Sequence, residues 1–374
     1  MIYLDANATE PLRPEAREAA LAALEQGGNP SSVHQAGRAA RRILEEARER
    51  VANFANARPA DVIFCAGATE ADALAVHALG ANRPILIGAT EHDAIRAAAP
   101  GAITIPVQAN GQAEMTALEC LLAAYPTALV CLMAANNETG VLHDIEIAGK
   151  LCKATGALLH VDAAQATGRA NRDWLALGAA SFAISGHKFG APVGAGALVT
   201  RPDLPIKPLI KGGGQELGRR GGTSALPSIA GMAAALGAQY PSEQIAAWRD
   251  EIEAFCCARG ALAIGATAPR LPNTLCLALP GVRAETQLIA LDMAGICVSA
   301  GAACSSGKVA ASHVLQAMGL EHLADQAIRV SLPWNVELLA VQKFISAYAD
   351  MASRLAKRGP IGLTTPIIAR TSHA

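Results

Sequence analysis

The sequence predicts an α/β protein: a large unit built on a mainly parallel sheet, followed by a smaller α+β unit. Three observations predict it. Short apolar runs alternate with Ala-rich amphipathic stretches between about residues 60 and 200. The alternation gives way after about residue 240 to a different order of helices and strands. Hydrophobic residues make up 52% of the 374, enough to bury a sizeable core, while aromatics make up only 3%, so that core must be made of Ala, Leu, Ile and Val.

The elements follow in order. Residues 38–50 (RAARRILEEARER) interleave acids and bases with Ile43, Leu44 and Ala47 at helical spacing, and read as a helix with a solvated charged face. The strand runs are DVIFC (61–65), PILIG (84–88), AITIPV (102–107), ALVCLM (128–133), ALLHVD (157–162), SFAIS (181–185) and GALVT (196–200). Helical stretches at 69–79, 116–124 and 144–155 lie between several of them, which implies βαβ units. A helix at 242–258, the strand-like LPNTLCLALPG (271–281), a helix from Ala284, the segment ICVSAG and a final helix near 336–356 form the smaller unit. The expected division is 14–243 for the large unit, with 1–13 and 244–374 as the small one.

Charge and cysteine content exclude several classes of protein. With 31 basic and 32 acidic residues the formal charge is −1, which gives no nucleic-acid or anionic-membrane surface. No apolar stretch reaches the roughly 18 residues a membrane span needs, and the opening MIYLDANATE has no signal-peptide pattern, so a cytoplasmic protein is expected. The nine cysteines are scattered without a C-x-x-C pair. Neither a disulfide framework nor a metal site is expected; most should be reduced, small buried hydrophobes, as Cys65, Cys131 and Cys276 are inside apolar runs.

Ligands of parallel sheets bind beyond the carboxyl ends of the strands. The polar clusters of this chain stand there: Thr69, Glu91 with His92, Asn136 with Asn137, residues 162–165, and residues 185–188. In SGHK (185–188) a strand ends in a lysine crowded by His187 and a Gly-rich loop. Desolvation there helps Lys188 lose its proton and form a Schiff base. Asp162 ends another strand 26 residues upstream. A lysine to hold an aldehyde carbon, and a carboxylate to keep a pyridine nitrogen protonated, are what pyridoxal 5'-phosphate needs. Ser185 and His187 are placed to touch a phosphate. AGATEADALAV (66–76) sets Ala68 and Thr69 at a helix start, where N–H groups and a hydroxyl suit a phosphate; taken alone it is equally an N-cap. His92 can stack on a pyridine face.

These motifs together resemble the cysteine desulfurases of the iron–sulfur-cluster and nitrogen-fixation type, in the class-V group of fold-type I pyridoxal-phosphate enzymes. The resemblance runs through YLDANAT (3–9), GNPSSVH (28–34), GATEADALA (67–75), EH (91–92), NNETG (136–140), VDAAQ (161–165), SGHK (185–188), GGGQELGRRGGT (212–223), RLPNT (270–274), SAGAACSSG (299–307) and IRVSL (328–332). It implies that Lys188 anchors the cofactor and Asp162 pairs with its ring nitrogen. It implies that Gln165 and Asn137 lie on the phenolic-oxygen side, that His92 stacks on the ring, and that Thr69, Ser185 and His187 hold the phosphate. It also implies a homodimer in which Thr223 reaches the phosphate of the other subunit, and a substrate carboxylate received by Arg329 and Asn29. The substrate implied is L-cysteine.

Cys304 sits in ICVSAGAACSSGKV (296–309), a run of small residues that reads as a mobile, exposed loop with a reachable thiolate. In the implied reaction Lys188 moves the α-proton, Cys304 takes the substrate sulfur as a persulfide, and alanine leaves. A loop carrying the persulfide must visit both the pocket and a sulfur-acceptor protein. Alternatives are a selenocysteine lyase, a class-V aminotransferase acting on a small amino acid, which needs no Cys304, and a non-catalytic scaffold homologue, against which the presence of both Lys188 and Cys304 argues. The chain departs from the pattern at Glu10, where Thr is usual, at Gly221, where Ser is usual, and at Pro333 and Trp334, where Gly-Arg is common.

Overall fold

The computed structural model describes residues 1–202, 204–303 and 309–356. The chain opens with a short strand, β1 (Ile2–Tyr3), then helices α1 (Pro14–Gln26) and α2 (Gln35–Phe54). Pro14 sits in the first turn of α1, where its missing N–H costs nothing. The His34 ring accepts from the Gly37 N–H and caps α2.

The central sheet is built from β2 (Val62–Cys65), β3 (Ile85–Gly88), β4 (Ile103–Ile105), β5 (Leu129–Met133), β6 (Leu158–Asp162), β7 (Ser181–Ser185) and β8 (Gly196–Thr200). Their order is β2-β8-β7-β6-β5-β3-β4. All pairs from β7 to β4 are parallel, and β8 lies antiparallel between β2 and β7. The crossovers carry α3 (Ala68–Leu79), α4 (Asp93–Ala98), α5 (Met115–Ala124) and α6 (Ile145–Thr155), and α7 (Leu226–Ala235) follows the sheet. All seven apolar runs of the sequence are therefore strands. Each of β5, β7 and β8 is buried at every position, as a sheet covered on both faces requires.

The two-residue alternation of the strands divides the apolar side chains between two cores. Phe64, Val130, Val161 and Phe182 face Leu44, Val51, Leu118, Ile145 and Met232 on one side. Ile63, Leu129, Cys131 and Leu198 face Leu74, Leu79 and Ile95 of α3 and α4 on the other.

The remaining elements are α8 (Ser242–Cys257), β9 (Leu262–Ala263), β10 (Thr274–Ala278), α9 (Ala284–Met293), β11 (Ile296–Cys297), β12 (Ser299–Ala300), β13 (Ala302–Ala303), β14 (Val309–Ala310), α10 (His313–Ala317), β15 (Ala327–Ser331) and α11 (Leu338–Ala356). Strands β12-β15-β10-β9 make a four-stranded antiparallel sheet. Its face towards α8, α9 and α11 buries Leu275, Leu277, Ile328 and Val330 against Ile252, Leu291, Phe344 and Tyr348. Strand β1 pairs in parallel with β11, and Asp5 bridges Ser331. The segment then crosses to the central sheet, where the Glu10 N–H donates to His187 O at 2.8 Å and the Arg13 N–H to Gly190 O at 2.8 Å. Residues 1–13 thus tie the second sheet to the loop after β7. No helix of the described residues is long and apolar enough to cross a membrane.

One expectation is corrected. The charged run 38–50 is not a wholly solvated face, because Arg48 is buried. Its guanidinium donates to both oxygens of Glu216, at 2.7 and 2.9 Å, and stacks 4.8 Å from the Phe64 ring centre. The buried Glu216 also accepts from the Phe64 N–H at 2.9 Å. A bidentate pair with its remaining lone pairs used is what lets a charge leave water.

Candidate active site

A cavity of about 790 Å³ opens beyond the carboxyl ends of β5, β6 and β7. Its volume and position are those of a small-molecule site in an open α/β sheet. It is lined by Ala68, Thr69, His92, Asn137, Asp162, Gln165, Ser185, His187, Lys188 and Arg329 among others, so ten of the expected site residues meet there.

Lys188 follows β7. Its Nζ donates to Asn7 O at 2.7 Å and Ala8 O at 3.0 Å. Burial, then the cations Arg329 and Arg169, bring its pKa down to about 8. The lysine is thus close to giving up its proton at neutral pH, which is what imine formation requires. Asp162 ends β6, the strand beside β7, and is buried. One of its oxygens accepts from the Ala164 N–H at 2.9 Å. Burial, and then the nearby Asp72, push its pKa up to about 7. A carboxylate in that state is stabilised by any cation placed in the cavity.

Helix α3 starts at the cavity wall with no side-chain cap, so its first N–H groups are free for an anion. A Cβ added to Gly67, just before the helix, would lie 3.5 Å from Ser185 Oγ. Gly196 on β8 keeps this corner tight: an added Cβ would meet Gly67 Cα at 2.6 Å. His187 Nδ1 lies 3.1 Å from Thr9 Oγ1, and burial lowers its pKa to about 4, so the ring is neutral at pH 7. His92 caps α4, its Nδ1 accepting from the Ala94 N–H at 3.1 Å.

Arg329 stands on β15, facing the cavity from the second sheet. Its Nη2 donates to Asp5 at 2.7 Å and its Nη1 to Asn137 O at 3.1 Å, while Nε is buried without a partner. The Gln165 amide is engaged at both ends, donating to Asn7 O at 3.0 Å and accepting from Arg169 at 2.7 Å.

Two expected residues are not brought to this cavity. Asn29 is exposed and its Oδ1 accepts from the Ser31 N–H at 2.9 Å. Thr223 is exposed and absent from the lining. Cys304 lies outside the described residues; Gly301, three residues before it, lines the cavity.

Several lining residues escaped the sequence reading. Asp72 is fully buried, one turn beyond Thr69 on α3; the three-residue step was the available signal. Asn7 and Ala8 reach Lys188 from the N-terminal segment. His313, whose Nε2 lies 3.1 Å from Glu91 O, and the buried Glu138 close the far side.

Residues 2–344 match the family model for class-V aminotransferases, and the chain belongs to that family. Its relatives make the placement narrower. A cysteine desulfurase of Cereibacter sphaeroides is 38% identical over 96% of this chain and 98% of its own length. An IscS-like cysteine desulfurase of Mycobacterium tuberculosis is 37% identical over 89% of this chain and 91% of its own. A solved NifS-like protein of Rickettsia africae superposes with a TM-score of 0.88 at 32% identity, covering 94% of this chain and 99% of that one. The family implies pyridoxal 5'-phosphate, and the donor set fits it. An easily deprotonated lysine, a buried carboxylate with a raised pKa and an uncapped helix start match its aldehyde, its ring nitrogen and its phosphate.

Proposed function

We propose that this chain is a pyridoxal-phosphate-dependent cysteine desulfurase, which takes sulfur from L-cysteine onto Cys304 and releases L-alanine. The observation that carries the reading is the pairing of Lys188 and Asp162 at the ends of the adjacent strands β7 and β6, inside one cavity. Near-full-length similarity to cysteine desulfurases supports the reaction itself.

When bound, the cofactor supplies an electron sink beside the substrate's α-carbon. Lys188 would hold it, Asp162 would keep a proton on its ring nitrogen, and His92 would lie against the ring. Asn137 and Gln165 would border the phenolic oxygen. Thr69, Ser185, His187 and the Ala68 N–H would hold the phosphate, together with Thr223 of the partner subunit in a homodimer. The exposure of Thr223 fits that last role.

Arg329 would receive the substrate carboxylate, sharing its fork with Asp5; Asn29, implied beside it, lies outside the cavity in this chain. Lys188, freed by the substrate amine, would take the α-proton. The Cys304 thiolate would then attack the substrate sulfur. The S–S bond forms, the Cβ–S bond breaks, and Cβ gains a proton to give alanine. The persulfide must next be discharged, so a sulfur-acceptor protein is implied. A large cofactor-holding unit (14–243) and a small unit (1–13 and 244–374) fit this reading, with β1 joined to β11. A cytoplasmic location fits the eight free cysteines among the described residues.

The test is alanine and sulfide production from L-cysteine with a reductant, for wild type, Cys304→Ser and Lys188→Ala. Equal yields of both products from the wild type, and none from either variant, are expected. Full activity in Cys304→Ser would overturn the sulfur-acceptor role and leave the lyase reading, whereas a wild type that yields neither product would favour an aminotransferase.

A further inference from the structure

Two of the positions at which the chain departs from its family's pattern, Glu10 and Trp334, are in direct contact. Glu10 and Arg169 are both buried and form an ion pair, Arg169 Nη2 donating to Glu10 Oε2. The other Glu10 oxygen accepts from the Trp334 N–H at 2.6 Å. The Trp334 indole N–H donates to Pro11 O at 2.9 Å, and the Arg13 guanidinium lies 4.8 Å from the indole centre.

On the cavity side the same arginine reaches the lysine's support. Arg169 Nη2 also donates to Ala6 O at 3.1 Å. Gln165, gripped by Arg169, donates to Asn7 O, the oxygen that accepts from Lys188. The carbonyls of Ala6, Asn7 and Ala8 are therefore bound in turn by Arg169, by Gln165 with Lys188, and by Lys188 with the Thr9 hydroxyl. Among the described residues Glu10 is the one carboxylate in an ion pair with Arg169.

We propose that Glu10 is a positioning residue: through Arg169 it fixes the strap of residues 6–8 beneath Lys188 and sets the charge that the lysine feels. This rests on the reading of Lys188 as the cofactor's anchor. The charged and titratable groups facing Lys188 are Arg329, Arg169, Asp162 and Asp5, with His187 next to it in the chain. Arg329 is offset by Asp5 and Arg169 by Glu10. Removing the Glu10 charge leaves Arg169 uncompensated in a medium of low dielectric, which disfavours a second cation nearby. Lys188 then sheds its proton at lower pH.

The test follows covalent capture of pyridoxal phosphate by the full-length protein, by visible absorbance against pH. Glu10→Gln should move the midpoint of the capture rate down by about one pH unit. Trp334→Phe, which keeps the backbone N–H to Glu10, should lower thermal stability and leave the midpoint in place. The double variant Glu10→Gln/Arg169→Gln, which deletes both charges, should return the midpoint towards wild type and serves also if Glu10→Gln alone folds poorly. An unchanged midpoint in folded Glu10→Gln, or a double variant shifted down in the same way, overturns the proposal. Lys188→Ala separates the two readings. Loss of capture upholds the anchor whatever Glu10→Gln does, whereas capture persisting in Lys188→Ala would remove the anchor itself.

Discussion

His160 Nε2 lies 3.0 Å from Asp72 Oδ1, and the opposite ring nitrogen lies 2.8 Å from Ser181 Oγ. Three fully buried polar side chains thus link α3, β6 and β7, two residues before Asp162 on the same face of β6. Burial holds the Asp72 pKa well above the usual carboxylate range and lowers that of His160 to about 4. His160→Ala strands both partners in the core. It is expected to lose about 2–4 kcal/mol in urea unfolding, because an orphaned buried polar group costs its desolvation. Asp72→Asn keeps a partner for His160 and should lose clearly less; an equal loss would mean that the charge of Asp72 matters more than the hydrogen bond.

His143 offers a pH test away from the cavity. Its Nδ1 accepts from the Ala113 N–H at 3.0 Å, and burial brings its pKa down to about 4. A histidine with a lowered folded pKa binds its proton more readily when unfolded. Its contribution is therefore intact above the unfolded pKa of about 6.5 and is lost as pH falls towards 4. The stability of wild type relative to His143→Gln should fall by roughly 3 kcal/mol between pH 7 and pH 4. Comparing the two proteins removes the opposing effect of Asp162 and Asp72, whose raised pKa values favour the folded state as pH drops. A constant difference across that range would contradict the buried, neutral ring.

Gly301 tests the approach to Cys304. A Cβ there would run into Glu138 Oε2, and Glu138 is buried and held by the Ser312 hydroxyl. Gly301→Ala must displace one of them, at a cost of about 1–3 kcal/mol. Sulfide release from cysteine should fall at least tenfold while cofactor absorbance stays normal. Normal sulfide release with normal absorbance would show that this contact does not affect sulfur transfer.

Arg329 is the substrate-carboxylate candidate, already joined to Asp5. A lysine cannot serve Asp5 and a second carboxylate with the same fork. Arg329→Lys should raise KM for L-cysteine by about 10- to 100-fold with a smaller effect on kcat, a loss of roughly 1.4–2.8 kcal/mol. An unchanged KM would move carboxylate recognition elsewhere.

The strands and the polar residues just beyond their ends were legible in the sequence because they depend on local pattern. Seven apolar runs became seven strands, and Thr69, His92, Asn137, Asp162, Ser185 and Lys188 stand near their ends, as the rule for parallel sheets requires. The buried Arg48, Asp72 and Glu10 were not legible. A charged residue on a helix has the same spacing whether its partner is water or a carboxylate that arrives 168 residues later, as Glu216 does for Arg48.

By itself the sequence determined the alternation of strand and helix, and the identity of the groups able to hold an aldehyde, a pyridine nitrogen and a phosphate. Only the tertiary structure decided the state of those groups. The N-terminal segment, held by β11 and Ser331, lays the carbonyls of Asn7 and Ala8 against Lys188. Arg169 and Glu10 close the support from behind. The physical reason is that a proton's affinity for lysine depends on burial and on charges within a few ångströms, and residues 5, 10, 162, 169 and 329 become neighbours only when both sheets are in place.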